Sequence, residues 1–418
     1  MRLCLGWCAL AAFGSIASAQ STDSLRLSRR QAIAEALTRN AQLEIAREQT
    51  AQARGRRISA IAIPDFQASA AFDQISGPFQ FGNAPARPVS ISWSIPFPDK
   101  FRLNNDVGWA DIHASESNYR LQQQVIAAQA SSTYDSLLVA LKHRDILRES
   151  RDLARDFLNR TQIRYEAGTA AKLDVIQAQV AVGQAGNDVI AIERDVANAQ
   201  ASLNRTLGRV IGAPIAPTDS LGMPVALPDS VFIDTIALTN RPELAIIRNQ
   251  QIGAKASTGL AREFWIPDIT FGVGRDYAAP SPFQFTTGLS FPIPIFYWYH
   301  HKGDIAAGLH FERELAATYR DTRAQVTQDA RSAYANASIA MRQVVFLRDE
   351  LVPSAREAYR VSSTSYTLGG SSALEVLVAR QSLLQAESQL ADALAAANTA
   401  RADLDRALGL APNVGARR

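Results

Sequence analysis

Cysteine is almost missing from this chain: its 418 residues contain only Cys4 and Cys8. Both fall inside an apolar run at residues 3–14 that follows Arg2 and ends in Ala17-Ser18-Ala19, the pattern of a secretory leader cut after Ala19. The mature chain is therefore expected to begin near Gln20 without thiols, disulfides or a lipid anchor. Long apolar runs are missing as well. No later stretch reaches the roughly 18 apolar residues of a membrane helix, so any bilayer crossing must be made by strands. A net charge of +3 gives no nucleic-acid signature. Five histidines and no mature cysteine leave little for catalysis. The chain also lacks a phosphate-binding glycine loop, a Gly-x-Ser-x-Gly elbow and a His-Glu-x-x-His zinc helix, so neither an enzyme nor a bound cofactor is implied. Proline is absent between Pro98 and Pro214.

What is present comes twice. Residues 32–208 return as 233–409, with Leu37 and Leu43 recurring as Leu238 and Leu244, and Tyr165 and Gly168 as Tyr366 and Gly369, each 201 positions on. Tyr134 recurs as Tyr334, and Ser94-Ile95-Pro96-Phe97-Pro98 as Ser290-Phe291-Pro292-Ile293-Pro294. A repeat length this constant points to duplication of one unit. The expected division is a leader at 1–19, a first unit at 20–212, a proline-rich linker at 213–230, a second unit at 231–410 and a tail at 411–418.

Each unit changes period in the same order. Residues 31–58 read as a helix, ended by Pro64. Period-two alternation then predicts strands at about 66–75 and 88–96, separated by a turn-rich loop at 76–88. In the second strand Val89, Ile91, Trp93 and Ile95 alternate with serines. The second unit predicts strands at about 268–277 and 283–292. Small or polar residues on one face and apolar residues on the other suit a barrel wall between water and lipid, although a half-buried soluble sheet alternates identically. Trp265 and the run Phe296-Tyr297-Trp298-Tyr299 sit at strand ends, as interfacial aromatics do. Four strands leave open edges that lipid does not tolerate, whereas three copies would supply twelve and enclose an aqueous lumen.

The proline-free stretch predicts two long helices at about 106–166 and 172–208, and the second unit repeats them at about 303–366 and 372–408. The first would run about 90 Å. Leu173, Ile176, Val180, Gly183, Asn187 and Ile190 mark a coiled-coil-like seam. Pro353 should kink or break its helix. A soluble antiparallel coiled coil would share this helical composition but not the strands.

The tip sequences are the most specific feature. Arg164-Tyr165-Glu166-Ala167-Gly168 runs on to Leu173-Asp174-Val175-Ile176, and Ser365-Tyr366-Thr367-Leu368-Gly369 runs on to Leu374-Glu375-Val376-Leu377. Taken together, these residues resemble the TolC-like outer-membrane efflux proteins, and the resemblance covers essentially the whole mature chain. It implies an α+β membrane protein in which three chains form a twelve-stranded barrel continued by a long helical tunnel in the periplasm. It implies as partners two further copies of the chain, a periplasmic adaptor, an inner-membrane pump of the RND type or similar, and outer-membrane lipid. Pro292-Ile293-Pro294-Ile295-Phe296 and Gly303-Asp304-Ile305-Ala306-Ala307 are similar to the cobalt-zinc-cadmium branch of that family. Asp99, where that branch usually has glycine, and Tyr297-Trp298-Tyr299-His300-His301 depart from it. Drug efflux or type I protein secretion stays open, as does a structural periplasmic coiled coil.

The resemblance also nominates residues. Glu375, and with it Asp174, would form acidic rings at the periplasmic mouth, which concentrate cations; the alternative is an ordinary solvent-facing helix acid. Val378 stands where some members carry a further acid. Tyr165, Tyr366, Gly168, Gly369, Leu173 and Leu374 would shape tips that dock the adaptor, and Arg164 would hold the closed state through a salt bridge. His300-His301, the sole histidine pair, reads as a solvated interfacial pair and not a metal site.

Overall fold

The computed structural model describes residues 25–71, 88–266, 268–276, 282–290 and 301–410. The leader, Phe72, most of the 76–88 loop, the 292–296 motif, the 296–299 aromatics, His300 and the tail lie outside the described residues.

Strand β1 (Leu25–Leu27) leads into α1 (Arg29–Arg39) and α2 (Ala41–Ala60). The helix expected over 31–58 is thus two. Asn40 breaks it by capping α2, its side chain accepting from Gln42 N at 2.9 Å while its amide donates to the Thr206 carbonyl. Strands β2 (Gln67–Ala70) and β3 (Pro88–Ile95) follow, then α3 (Pro98–Glu166) and α4 (Lys172–Thr206). Helix α3 starts earlier than expected because Pro98 suits a first-turn position. Its start is fastened by Lys100, whose Nζ donates to the Ile266 carbonyl at 2.9 Å and to Asp268 at 2.8 Å. At 69 residues, α3 is about 100 Å long.

The linker is more than a connection, since its strand β4 (Ile215–Pro217) pairs in parallel with β1. The second unit then runs α5 (Ile233–Asn240), α6 (Pro242–Arg262), β5 (Asp268–Asp276), β6 (Gln284–Ser290), α7 (His301–Phe346), α8 (Val352–Thr367) and α9 (Ala373–Ala407). Between α7 and α8 the widened turn Leu347–Leu351 absorbs the hydrogen bond that Pro353 cannot make, so the helix expected over 303–366 is modified and not ended.

The long strands form one antiparallel sheet ordered β2-β3-β5-β6. Its register sets Ile91 opposite Val273 and Trp93 opposite Phe271 on one face, and Ser90 opposite Gly274 and Ser92 opposite Gly272 on the other. Trp93 lies 5.4 Å from the Phe66 ring and 6.4 Å from that of Phe271. The opposite face carries a Ser69–Ser90 hydroxyl pair at 2.8 Å. One face suits lipid and the other water. Strands β2 and β6 have one neighbour each among the described residues.

The buried core repeats as the sequence does. Ala32, Ala36, Leu43, Leu203 and Leu207 centre one cluster, and Ile233, Ala237, Leu244, Leu404 and Leu408, each 201 positions on, centre another. Both units end α4 or α9 with a left-handed glycine, Gly208 at φ 67° and Gly409 at φ 69°. The seam expected on α4 faces the other way. Leu173, Ile176, Val180 and Ile190 are exposed, and the face packed within the chain is Val175, Ala178, Ala181 and Ala185. Small residues permit that close internal packing, which leaves the larger apolar side chains on the outside of the protomer.

Candidate functional site: the paired helix tips

The two helix hairpins end in the same device. At each, a glycine in the left-handed region, Gly168 at φ 74° and Gly369 at φ 85°, closes the helix. Gly168 N donates to the Tyr165 carbonyl at 2.9 Å and Thr169 N to that of Arg164 at 2.8 Å. Gly369 and Gly370 repeat these bonds to Tyr366 and Ser365. This paired closure satisfies the orphan carbonyls of the helix end and needs a residue without Cβ strain at the turn.

The tyrosines that match in sequence diverge in place. Tyr366 is buried, its ring 5.2 Å from that of Phe157 in a tip core completed by Ala178, Ala373 and Val376. Tyr165 is 41% exposed. Arg164 joins the two tips without a carboxylate. Its guanidinium lies 4.4 Å above the Tyr366 ring, donates through Nη1 to the Tyr366 carbonyl, and donates through Nη2 to the Thr169 carbonyl at 3.1 Å. Among the described residues of one chain Arg164 makes no ion pair, and its contacts to the second hairpin are a carbonyl bond and a cation–π contact, a clasp between the tips. Gly369 stays beside it, where a Cβ would stand 3.9 Å from Arg164 Nη2.

The two acids also differ. Asp174 is half-buried, and its Oδ2 accepts from Ala171 N at 3.3 Å, so it caps its own helix start. In the second hairpin the bond runs the other way, the Ser372 hydroxyl accepting from Glu375 N at 3.3 Å. The Glu375 side chain is exposed, with no ion pair among the described residues. Leu173 and Leu374, each 60% exposed, and Leu368, at 83%, form an apolar fringe at the end of the hairpins.

Sequence reasoning missed the residues that fix this geometry from behind. Arg380, one helical turn past Glu375, is buried and donates to Ser150 Oγ at 2.9 Å; burial holds its guanidinium below the usual value. Farther along, Asp135 is wholly buried and pairs with Arg29. Burial pushes its carboxyl up from 3.8 to about 6 against the opposing pull of Arg29. Tyr134 donates to the Leu27 carbonyl at 2.9 Å and to Asp219 at 3.1 Å, tying the linker to α3. The available signal was the break in symmetry, since Tyr134 recurs as Tyr334 but Asp135 is matched by Ala335. Among the described residues no group of three His, Cys, Asp or Glu side chains could hold a metal ion, and His301 stacks on Phe264 at 3.7 Å.

Exposed hairpin tips at one end of long helices and a two-faced sheet at the other set the terms for comparison with known proteins. The model of the outer membrane efflux protein family matches residues 56–209 and 235–410. The chain belongs to that family. Like its relatives it is an outer-membrane protein that extends into the periplasm, and the family is one of channels, not enzymes. The cobalt-zinc-cadmium resistance protein CzcC of Cupriavidus metallidurans is 24% identical over 311 residues, which cover 72% of this chain and 73% of CzcC. The pyoverdine export outer membrane protein OpmQ of Pseudomonas aeruginosa is 25% identical over 315 residues, 71% of this chain and 64% of OpmQ. Among solved structures, the outer-membrane channel OprN superposes with a TM-score of 0.78 at 18% identity, covering 91% of this chain and 89% of OprN. CusC gives 0.76 at 19%, covering 91% and 92%. VceC of Vibrio cholerae gives 0.77 at 19%, covering 92% and 97%. These superpositions establish the fold of the efflux family for this chain.

Proposed function

We propose that three copies of this chain form one passive exit duct, a twelve-stranded barrel in the outer membrane continued by a helical tunnel, opened by a periplasmic adaptor and fed by an inner-membrane pump. The observation that carries this reading is the incompleteness of the single chain. Among the described residues the sheet has open edges at β2 and β6, and α4 exposes a stripe of Ile176, Val180 and Ile190. Lipid does not tolerate the first and water disfavours the second, and one trimer covers both. The pump, and not this chain, supplies the energy for transport in this reading. In this reading the Arg164–Tyr366 clasp holds the two hairpins of a protomer together in the closed state, and the fringe of Leu173, Leu374 and Tyr165 receives the adaptor.

At the mouth, Glu375 is the acid free to act on permeating ions, and Asp174 is largely spent on its helix start. Three copies of Glu375 around a narrow opening favour cations, in keeping with a heavy-metal cargo, toward which the likeness to the cobalt-zinc-cadmium resistance protein CzcC points. The likeness to OpmQ keeps larger organic cargo as the second reading. The test is the reversal potential of single channels under a salt gradient, with wild type and Glu375→Gln. Cation preference that falls in the variant supports the ring; equal selectivity removes it. Susceptibility of a strain lacking this protein to divalent metals and to hydrophobic drugs separates the two cargo readings.

A further inference from the structure

Away from tips and barrel, a pocket of about 420 Å³ opens between the two units, walled by α1 and α3 of the first, by α9 of the second, and by Met223-Pro224-Val225 of the linker. Four arginines reach it, Arg29, Arg30, Arg401 and Arg406, against one lining carboxylate, Asp405. Beneath it Asp135 is already committed to Arg29, and Arg401 Nη1 lies 2.9 Å from Asp405. Arg30 makes no ion pair among the described residues. Polar atoms without hydrogen-bond partners gather here. Among the described residues they include Gln124 Oε1, on a residue only 8% exposed, together with Arg29 Nε and Arg401 Nε. Buried groups of this kind demand a partner, each orphan costing about 1–3 kcal/mol.

The duplication sharpens the point. In the first unit the positions 201 before Arg401 and Asp405 are Gln200 and Asn204, both neutral. They close the same place with the chain itself: Gln200 donates to the Ala213 carbonyl at 3.1 Å, and Asn204 to those of Ile211 and Ala213 at 3.0 and 2.8 Å. The second unit puts a cation and an acid where the first has two neutral amides that donate to the linker.

We propose that this pocket binds a small organic anion, a carboxylate or phosphate monoester with a short apolar body. The anionic head would sit among Arg30, Arg401 and Arg406, with its body against Ile33, Met223 and Val225. A molecule seated there touches both units and the linker, so it braces the base of the long helices independently of the tips.

The test is calorimetric titration of the full chain, purified in neutral detergent, with phenyl phosphate, phenylacetate and benzyl alcohol, beside the variants Arg401→Gln and Arg30→Gln. Arg401→Gln installs the residue the first unit uses, and circular dichroism melting checks that it folds. The expected result is saturable binding of one or both anions, at least tenfold weaker in each variant, with benzyl alcohol not bound; which anion binds identifies the head group. Four results overturn the proposal: no binding by any probe, equal binding of benzyl alcohol, affinity unchanged in both folded variants, or binding gained only when the chain is ended at Leu410, which would make residues 411–418 the occupant.

Discussion

Replacing Arg164 by Met keeps the apolar stem and removes the fork that joins the hairpins. Its bond to the Thr169 carbonyl stays within one hairpin, so it does not change when the two separate. In the proposed clasp, the bias toward closure comes from the Tyr366 carbonyl and from the ring 4.4 Å away. A charge-assisted hydrogen bond contributes about 1.5–3 kcal/mol, and a cation–π contact near the surface about 0.5–1 kcal/mol. With Arg164 only half-buried the low ends apply, which gives about 2 kcal/mol per protomer, or roughly a 30-fold shift toward the open tip. Single-channel recording reads this as open probability, and uptake of a large hydrophilic antibiotic by cells reads it in vivo. An open probability within about threefold of wild type, in a variant that assembles normally, would refute the clasp as a closing device.

Further substitutions at four residues probe the rest of the chain. Gly409→Ala and Gly168→Ala both place a side chain at positive φ, but at Gly409 the Cβ would stand 2.6 Å from the Asn240 carbonyl carbon, while at Gly168 nothing lies within 4 Å. Thermal melting should show a loss of about 1 kcal/mol for Gly168→Ala and on the order of 3 kcal/mol or more for Gly409→Ala. Asp135 titrates near 3.8 when unfolded and about 6 when folded, so the folded state holds the proton more tightly and stability falls as pH rises across that window. Asp135→Asn should flatten that part of the melting-temperature profile and raise stability at pH 8 by up to about 2–3 kcal/mol. Tyr366 has a buried hydroxyl without a partner among the described residues. Tyr366→Phe should leave stability unchanged or raise it by about 1 kcal/mol, whereas Tyr366→Ala should lower it by about 3–5 kcal/mol.

The architecture was legible where the sequence is periodic. Alternation of Val89, Ile91, Trp93 and Ile95 with serines defined β3 and its two faces, and the shared spacing of the tip glycines located both hairpin turns. Legibility failed where one residue type serves two ends. The stripe from Leu173 to Ile190 has coiled-coil spacing, but spacing does not say which of two apolar faces packs inside the chain, and the smaller alanine face did. Asn40 reads as an ordinary helix residue until Thr206 is brought beside it by the fold. Asp174 and Glu375 look equivalent, yet the Asp174 carboxylate accepts from Ala171 N, whereas at Glu375 the bond runs from its own amide to the Ser372 hydroxyl and the carboxylate stays exposed. Arg29, Asp135 and Asp219 are far apart in sequence, and their meeting depends on β1 pairing with β4 across the chain.

The central claim is that three chains close one barrel through the edges β2 and β6. Those edges are three strand spacings apart within a chain, about 14 Å, too far for a disulfide, whose Cα atoms lie within about 7 Å. Cys4 and Cys8, the sole cysteines of the sequence, fall in the expected leader, so no native thiol is expected to compete. One cysteine replaces Ser69 on β2, and a second is placed at each residue of β6 in turn. The account predicts that at least one pair, oxidised in the membrane, yields a covalent trimer on denaturing gels that collapses to monomer on reduction. Uncross-linked monomer at every β6 position, or a ladder without a stop at three, would contradict it.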